Sequence, residues 1–251
     1  MLILLSNDDG IWAKGLRVLQ ESLSPFGECC VVAPDREKSA ASHSVTLHRP
    51  LRVEELEEGR FAVDGTPTDC VILGVHKLAG SKPDLLVSGI NDGGNMGDDV
   101  TYSGTVSAAV EGTILGVPSM AVSLARGGYR NFLAVGEVVK RIVPWIAERG
   151  LPKGVLLNVN VPDVKGIEEL KGIRWTRLGK LSYMDTLIEM KDPRGKTYYW
   201  VGGTPVRDRE NGADTDLVAV EEGYVSITPI RLDLTHNRAL RELGSTWEIV
   251  L

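Results

Sequence analysis

The feature that most constrains this chain is an alternation, over roughly its first 160 residues, of short apolar runs with amphipathic segments. A buried run too short for a helix, followed by a segment of helical period, marks a βαβ unit, and its repetition predicts a parallel sheet flanked by helices. Met1 to Leu5, Cys29 to Ala33, Leu85 to Ser88, Ser119 to Ser123 and Val155 to Val161 read as buried strands. Leu16, Leu19 and Leu23 recur at helical spacing, which predicts a helix over Gly15 to Ser24 ended by Pro25 and Gly27. The same period predicts helices over Thr68 to Leu78, Thr105 to Leu115 and Phe132 to Arg149. Thr46 to Val53 and Phe61 to Val63 read as exposed or edge strands of a hairpin, with the acidic stretch Glu54 to Gly59 as its turn.

Beyond about residue 162 the period weakens and Trp175, Tyr183, Tyr198, Tyr199 and Trp200 gather among glycines and charged turns. Extended hairpins are the expectation there. The chain therefore divides into an α/β domain over residues 1–162, a three-layer fold with a mostly parallel sheet, and a C-terminal extension of β-hairpins and a helix over 163–251. Glu221 to Thr228 reads as a strand able to return to the core, and Asn237 to Leu243 as a short terminal helix. Such an arm needs another surface to pack on, so the extension is expected to mediate oligomerisation. The acidic segment Arg207 to Glu222 reads as a solvated loop, with a second cation site as the lesser reading.

Composition narrows the function classes. With 43% hydrophobic and 25% charged residues the chain is globular, and no apolar stretch approaches the ~18 residues of a membrane span. The start MLILLSNDDG has no basic region and an apolar run too short for a signal peptide, so a cytoplasmic location is expected. A net charge of −6 argues against specific nucleic-acid binding, which shows a basic face. Cys29, Cys30 and Cys70 have neither disulfide nor zinc spacing and read as buried free thiols, with Cys29 and Cys30 on opposite sheet faces.

Three loops converge at the carboxyl edge of such a sheet, where ligands bind. The first, Ser6 to Gly10, puts the adjacent carboxylates Asp8 and Asp9 at a strand end. Like charges side by side are relieved by a divalent cation, and oxygen donors suit magnesium, manganese or calcium. An Asx turn with a helix cap is the competing reading. The second loop, Asp35 to Ser44, offers Asp35, Arg36, Ser39, Ser42 and His43; a lone histidine is more often structural than catalytic. The third, Ser88 to Thr105, is Gly-rich and polar and longer than the about 2–6 residues usual for a βα connection. Ser103, Gly104 and Thr105 stand at a helix start, where N–H groups and hydroxyls receive an anion such as phosphate, unless Ser103 or Thr105 serves only as N-cap. Asp98 and Asp99 form a second acidic pair that reads as a brace for this loop. Neither a G-x-S-x-G elbow nor a Walker A sequence is present.

Six stretches in order carry a resemblance: S-N-D-D-G at Ser6 to Gly10, A-P-D-R at Ala33 to Arg36, G-T-P-T-D-C at Gly65 to Cys70, V-S-G-I-N at Val87 to Asn91, Y-S-G-T-V at Tyr102 to Val106 and G-Y-V-S-I-T-P at Gly223 to Pro229. Together they resemble the SurE family, the stationary-phase survival protein nucleotidases. The resemblance implies a phosphomonoesterase that hydrolyses nucleoside 5′- and 3′-monophosphates through a metal-activated water, on a Rossmann-like domain with an extension that forms dimers or tetramers. It implies one divalent ion per subunit, magnesium or manganese, on Asp8, Asp9, Ser39 and Asn91, with Asp8 and Asp9 catalytic. It places phosphate near Asn95, Ser103, Gly104 and Thr105, while His43 is carried as a substrate-side candidate and His236 as an exposed histidine of the terminal arm. A non-catalytic nucleotide or phosphate sensor on the same fold is the alternative.

Overall fold

The computed structural model describes residues 1–125, 127–184, 187–207 and 211–246. In chain order the elements are β1 (Leu2–Ser6), α1 (Lys14–Leu23), β2 (Glu28–Pro34), β3 (Val53–Glu57), β4 (Arg60–Val63), α2 (Pro67–Leu73), β5 (Leu85–Asp92), α3 (Gly104–Ile114), β6 (Ser119–Leu124), α4 (Phe132–Arg149) and β7 (Val155–Val161). There follow β8 (Ile173–Trp175), β9 (Leu181–Met184), β10 (Leu187–Lys191), β11 (Thr197–Val201), β12 (Thr204–Arg207), α5 (Asp216–Glu221), β13 (Val225–Arg231) and α6 (Asn237–Thr246).

One sheet in the order β3-β4-β2-β1-β5-β6-β7-β13-β8 organises the molecule. The run from β4 through β7 is parallel. β3 joins β4 antiparallel, and β13 joins β7 antiparallel and β8 in parallel, so the sheet takes in strands from beyond residue 162. The side-chain period of two splits β1 between two cores. Ile3 and Leu5 pack with α1 and α4 residues such as Leu16, Leu19, Leu23, Val139 and Ile142. Leu4 packs on the other face with Cys70 and Val71 of α2 and Val106 and Ala109 of α3. Each leucine, isoleucine or valine so buried contributes roughly 1.5–3 kcal/mol. Cys29 borders the first core and Cys30 lies in the second, on opposite faces as expected, and all three thiols are free. Among the described residues no helix is long and apolar enough to cross a membrane.

Two expectations are corrected. The first arm of the predicted hairpin is β3, on the acidic residues assigned to the turn, and Thr46 to Arg52 is irregular. β3 is the sheet's edge and largely exposed, a place where glutamates are tolerated because solvent covers one side. The preceding segment satisfies its backbone with carboxylates instead: Thr46 N donates to Asp69 at 2.9 Å and Arg52 N to Asp64 at 2.9 Å. The acidic segment before residue 222 is not simply a solvated loop, since α5 lies there and Asp216 is fully buried. Asp208 and Glu210 of that segment lie outside the described residues.

The extension forms two antiparallel pairs, β9 with β12 and β10 with β11. α6 begins after His236, whose Nδ1 accepts from Ala239 N at 2.9 Å, so this histidine caps a helix.

Candidate active site

The strand order reverses at β1, with β2 on one side and β5 on the other. Open α/β sheets bind ligands at the crevice such a reversal creates. Asp8 and Asp9 leave the tip of β1 there and Asn91 lies near the end of β5 beside it. The β5–β6 register shifts between Ser88 and Asn91, a bulge that re-aims the end of the strand. Asn7 closes the first turn, its Nδ2 donating to Gly10 O at 3.0 Å. Lys38 N donates to Asp8 O at 2.7 Å and so ties the second loop to the first.

A cavity of ≈ 760 Å³ opens at this edge, lined among others by Asp8, Asp9, Ser39, Asn91, Asn95 and Ser103. Six of the nine sequence-predicted site residues therefore meet in one space. Burial pushes the Asp8 carboxyl up, against a hydrogen bond from Thr105 that lowers it. Burial, then the charge of Asp8, pushes Asp9 up to about 6, with Asp92 and Glu37 adding to the repulsion. Asn91 donates its Nδ2 to Gly93 O at 2.8 Å, which leaves Oδ1 as the atom it can offer a ligand. Ser39 donates to Glu37 at 2.5 Å.

The remaining three residues take supporting positions. Thr105 is fully buried and its hydroxyl donates to Asp8. The Gly104 and Thr105 backbone also hydrogen-bonds Asp8, so the start of α3 is directed at that carboxylate. A Cβ on Gly104 would stand 2.8 Å from Asp8 Cβ, so only glycine allows this approach. His43 Nε2 lies 2.8 Å from Glu111 Oε2 and pins the second loop to α3, outside the cavity lining. Ser103 is the N-cap of α3, accepting from Val106 N at 3.1 Å, and its own hydroxyl proton stays available to an anion.

Asn95 is held by partners the sequence reading missed. Its N–H donates to Asn160 Oδ1 at 2.8 Å and its Nδ2 to Ser123 at 2.8 Å, and its carbonyl accepts from Asn158 at 2.8 Å and Asn160 at 3.0 Å. The signal was present as two asparagines at i and i+2 inside the otherwise apolar run V-L-L-N-V-N-V. Asp98 and Asp99 brace the third loop, accepting from Leu181 N at 3.1 Å and from the Tyr183 hydroxyl. Asp216, also missed, accepts from Gly97 N at 2.9 Å and Gly179 N at 2.8 Å. Among the described residues no three His, Cys, Asp or Glu side chains are grouped to hold a metal, so a cation here would need neutral oxygens as well as the two carboxylates. The set at the strand tips is all oxygen, which fits a hard divalent ion.

Sheet order, switch point and carboxylate-paired cavity define a Rossmann-like α/β protein with a polar ligand site at the strand tips. The family described as survival protein SurE matches residues 3–185. A protein of Geobacter metallireducens named 5'-nucleotidase SurE is 52% identical over 249 residues, covering 99% of this chain and 98% of the relative. One of the same name from Geobacter sulfurreducens is 51% identical over 252 residues, covering 99% and 94%. The crystal structure of the SurE protein from Aquifex aeolicus superposes with a TM-score of 0.87 at 42% identity, covering 98% of this chain and 99% of that one. The chain belongs to the SurE family.

Proposed function

We propose that this chain is a divalent-metal-dependent phosphomonoesterase that hydrolyses nucleoside 5′-monophosphates, and 3′-monophosphates, to nucleoside and phosphate. The observation that carries the reading is the meeting of Asp8, Asp9 and Asn91 in a cavity of nucleotide size at the sheet's switch point. The name 5'-nucleotidase, shared by relatives about half identical to this chain, supports it. Asp8, Asp9, Ser39 and Asn91 would hold one magnesium or manganese ion per subunit. When bound, the ion supplies Lewis-acid polarisation of a phosphoryl oxygen. The Ser103 hydroxyl and the Asn95 side chain, both lining the cavity, receive the remaining phosphate oxygens by preorganised hydrogen bonds. Thr105 and the Gly104 backbone act one step back, holding Asp8 in place. A carboxylate oxygen of Asp9 orients the attacking water.

A reducing, cytoplasmic setting is supported by the three free thiols. Assembly as a homo-oligomer is supported by the β10–β11 pair, one face of which presents Ile188, Met190, Tyr198 and Trp200 to solvent. Phosphate release from a panel of nucleoside monophosphates, before and after EDTA and with magnesium or manganese restored, tests the reading. Release that EDTA stops and metal restores is expected. Saturable nucleotide binding without release under any metal would overturn it in favour of a sensor.

A further inference from the structure

The cavity also carries an aromatic side chain that phosphate chemistry does not use. Tyr183 of β9 lines it with Leu181 and Leu217, all three from the C-terminal part of the chain. The Tyr183 hydroxyl donates to both oxygens of Asp99, at 2.6 and 2.5 Å. Asp99 sits in the short helical turn Gly97–Thr101, and its carbonyl accepts from Ser103 N at 3.2 Å, so the anchor belongs to the loop that ends at the phosphate-receiving serine. Burial and the Asp99 carboxylate push the phenol up to about 12, which keeps the donor proton in place at any working pH. The residue nonetheless stays 41% exposed. A ring fixed at its polar tip and still open to the cavity loses little freedom when a flat ligand lies against it. A space of ≈ 760 Å³ exceeds what a phosphate fills, and Leu181, Leu217 and Tyr183 give the surplus an apolar wall.

We propose that Tyr183 is the nucleobase-stacking residue of this site and Asp99 its positioning residue, an inference that rests on the nucleotidase reading above. Every base has a π face, so stacking tolerates all of them and favours the larger purines. Steady-state kinetics of the full-length protein test the assignment. Tyr183→Ala is expected to raise KM for adenosine and guanosine 5′-monophosphates about tenfold and for uridine 5′-monophosphate less. Its inhibition constant for inorganic phosphate, which has no base, should stay at the wild-type value. Tyr183→Phe keeps the ring but loses the Asp99 anchor and should stay within about threefold of wild type, and Asp99→Asn, whose amide oxygen still accepts the hydroxyl, should lie between Tyr183→Phe and wild type. Unchanged KM values in Tyr183→Ala would overturn the inference while leaving the nucleotidase reading standing. Equal weakening of nucleotide and phosphate binding would also overturn it, as the mark of a merely structural residue. A wild-type protein that hydrolyses no nucleotide would remove the nucleotidase reading itself.

Discussion

Asp9 sits under a repulsion it cannot relieve alone. Asp8, Asp92 and Glu37 all raise its affinity for a proton, while Lys14 lines an adjoining pocket with it and Arg130 is ion-paired to Asp92. Its carboxyl lies at about 6 in the folded chain against 3.8 ordinarily. Above about 6 the metal-free folded state therefore carries this charge at a cost the unfolded chain lacks. As pH falls through 6 toward 3.8 the folded state binds the proton first and the cost fades. Metal-free Asp9→Asn should accordingly be more stable than metal-free wild type at pH 7.5, by about 1 kcal/mol once solvent screening of a half-buried group is allowed for. Urea unfolding in EDTA at pH 7.5 and 5 should show that gap and its narrowing. A gap that widens at pH 5 would contradict this account of the pair. The pair itself was legible because its residue types stand in one short motif. The sequence alone points Thr105 at phosphate because spacing places a residue at a helix start without telling which carboxylate that start faces.

Among the elements, α4 and β7 were legible to the residue, since an amphipathic period bounded by glycine and an unbroken apolar run each leave little freedom. β3 was not, because an edge strand needs no apolar face. α5 was hidden by its own acidity, although Asp216 is spent on backbone N–H groups rather than on solvent. That carboxylate joins α5, the Gly179 segment and the Gly97 turn of the third loop. A Cβ on Gly97, whose φ is +54°, would come within 2.9 Å of Gly179 O, so the two segments touch through backbone. Asp216→Ala strands both N–H groups and should cost on the order of 3 kcal/mol, read as a lower urea midpoint with unchanged m. A midpoint equal to wild type would show that the two segments are held by something else. The asparagines of β7 teach the same lesson, for their purpose is visible only once Asn95 is seen above them.

At the scale of the whole molecule, one half of the chain supplies the strand tips and the other supplies Leu181, Tyr183 and Leu217 to the same cavity. The extension also leaves a two-stranded pair whose apolar face is exposed among the described residues, and such a pair is marginal alone. Wild type is expected to sediment as a dimer or tetramer, and Ile188→Glu with Trp200→Glu should shift it to a monomer in sedimentation velocity. An unshifted assembly would place the contact elsewhere. A phosphatase centre built on adjacent carboxylates stands or falls on phosphate release from adenosine 5′-monophosphate at saturating manganese, comparing wild type with Asp8→Asn and Asp9→Asn. Rates at least about 1,000-fold lower in both variants, with unchanged circular dichroism, are predicted. Full activity in either folded variant would contradict the claim.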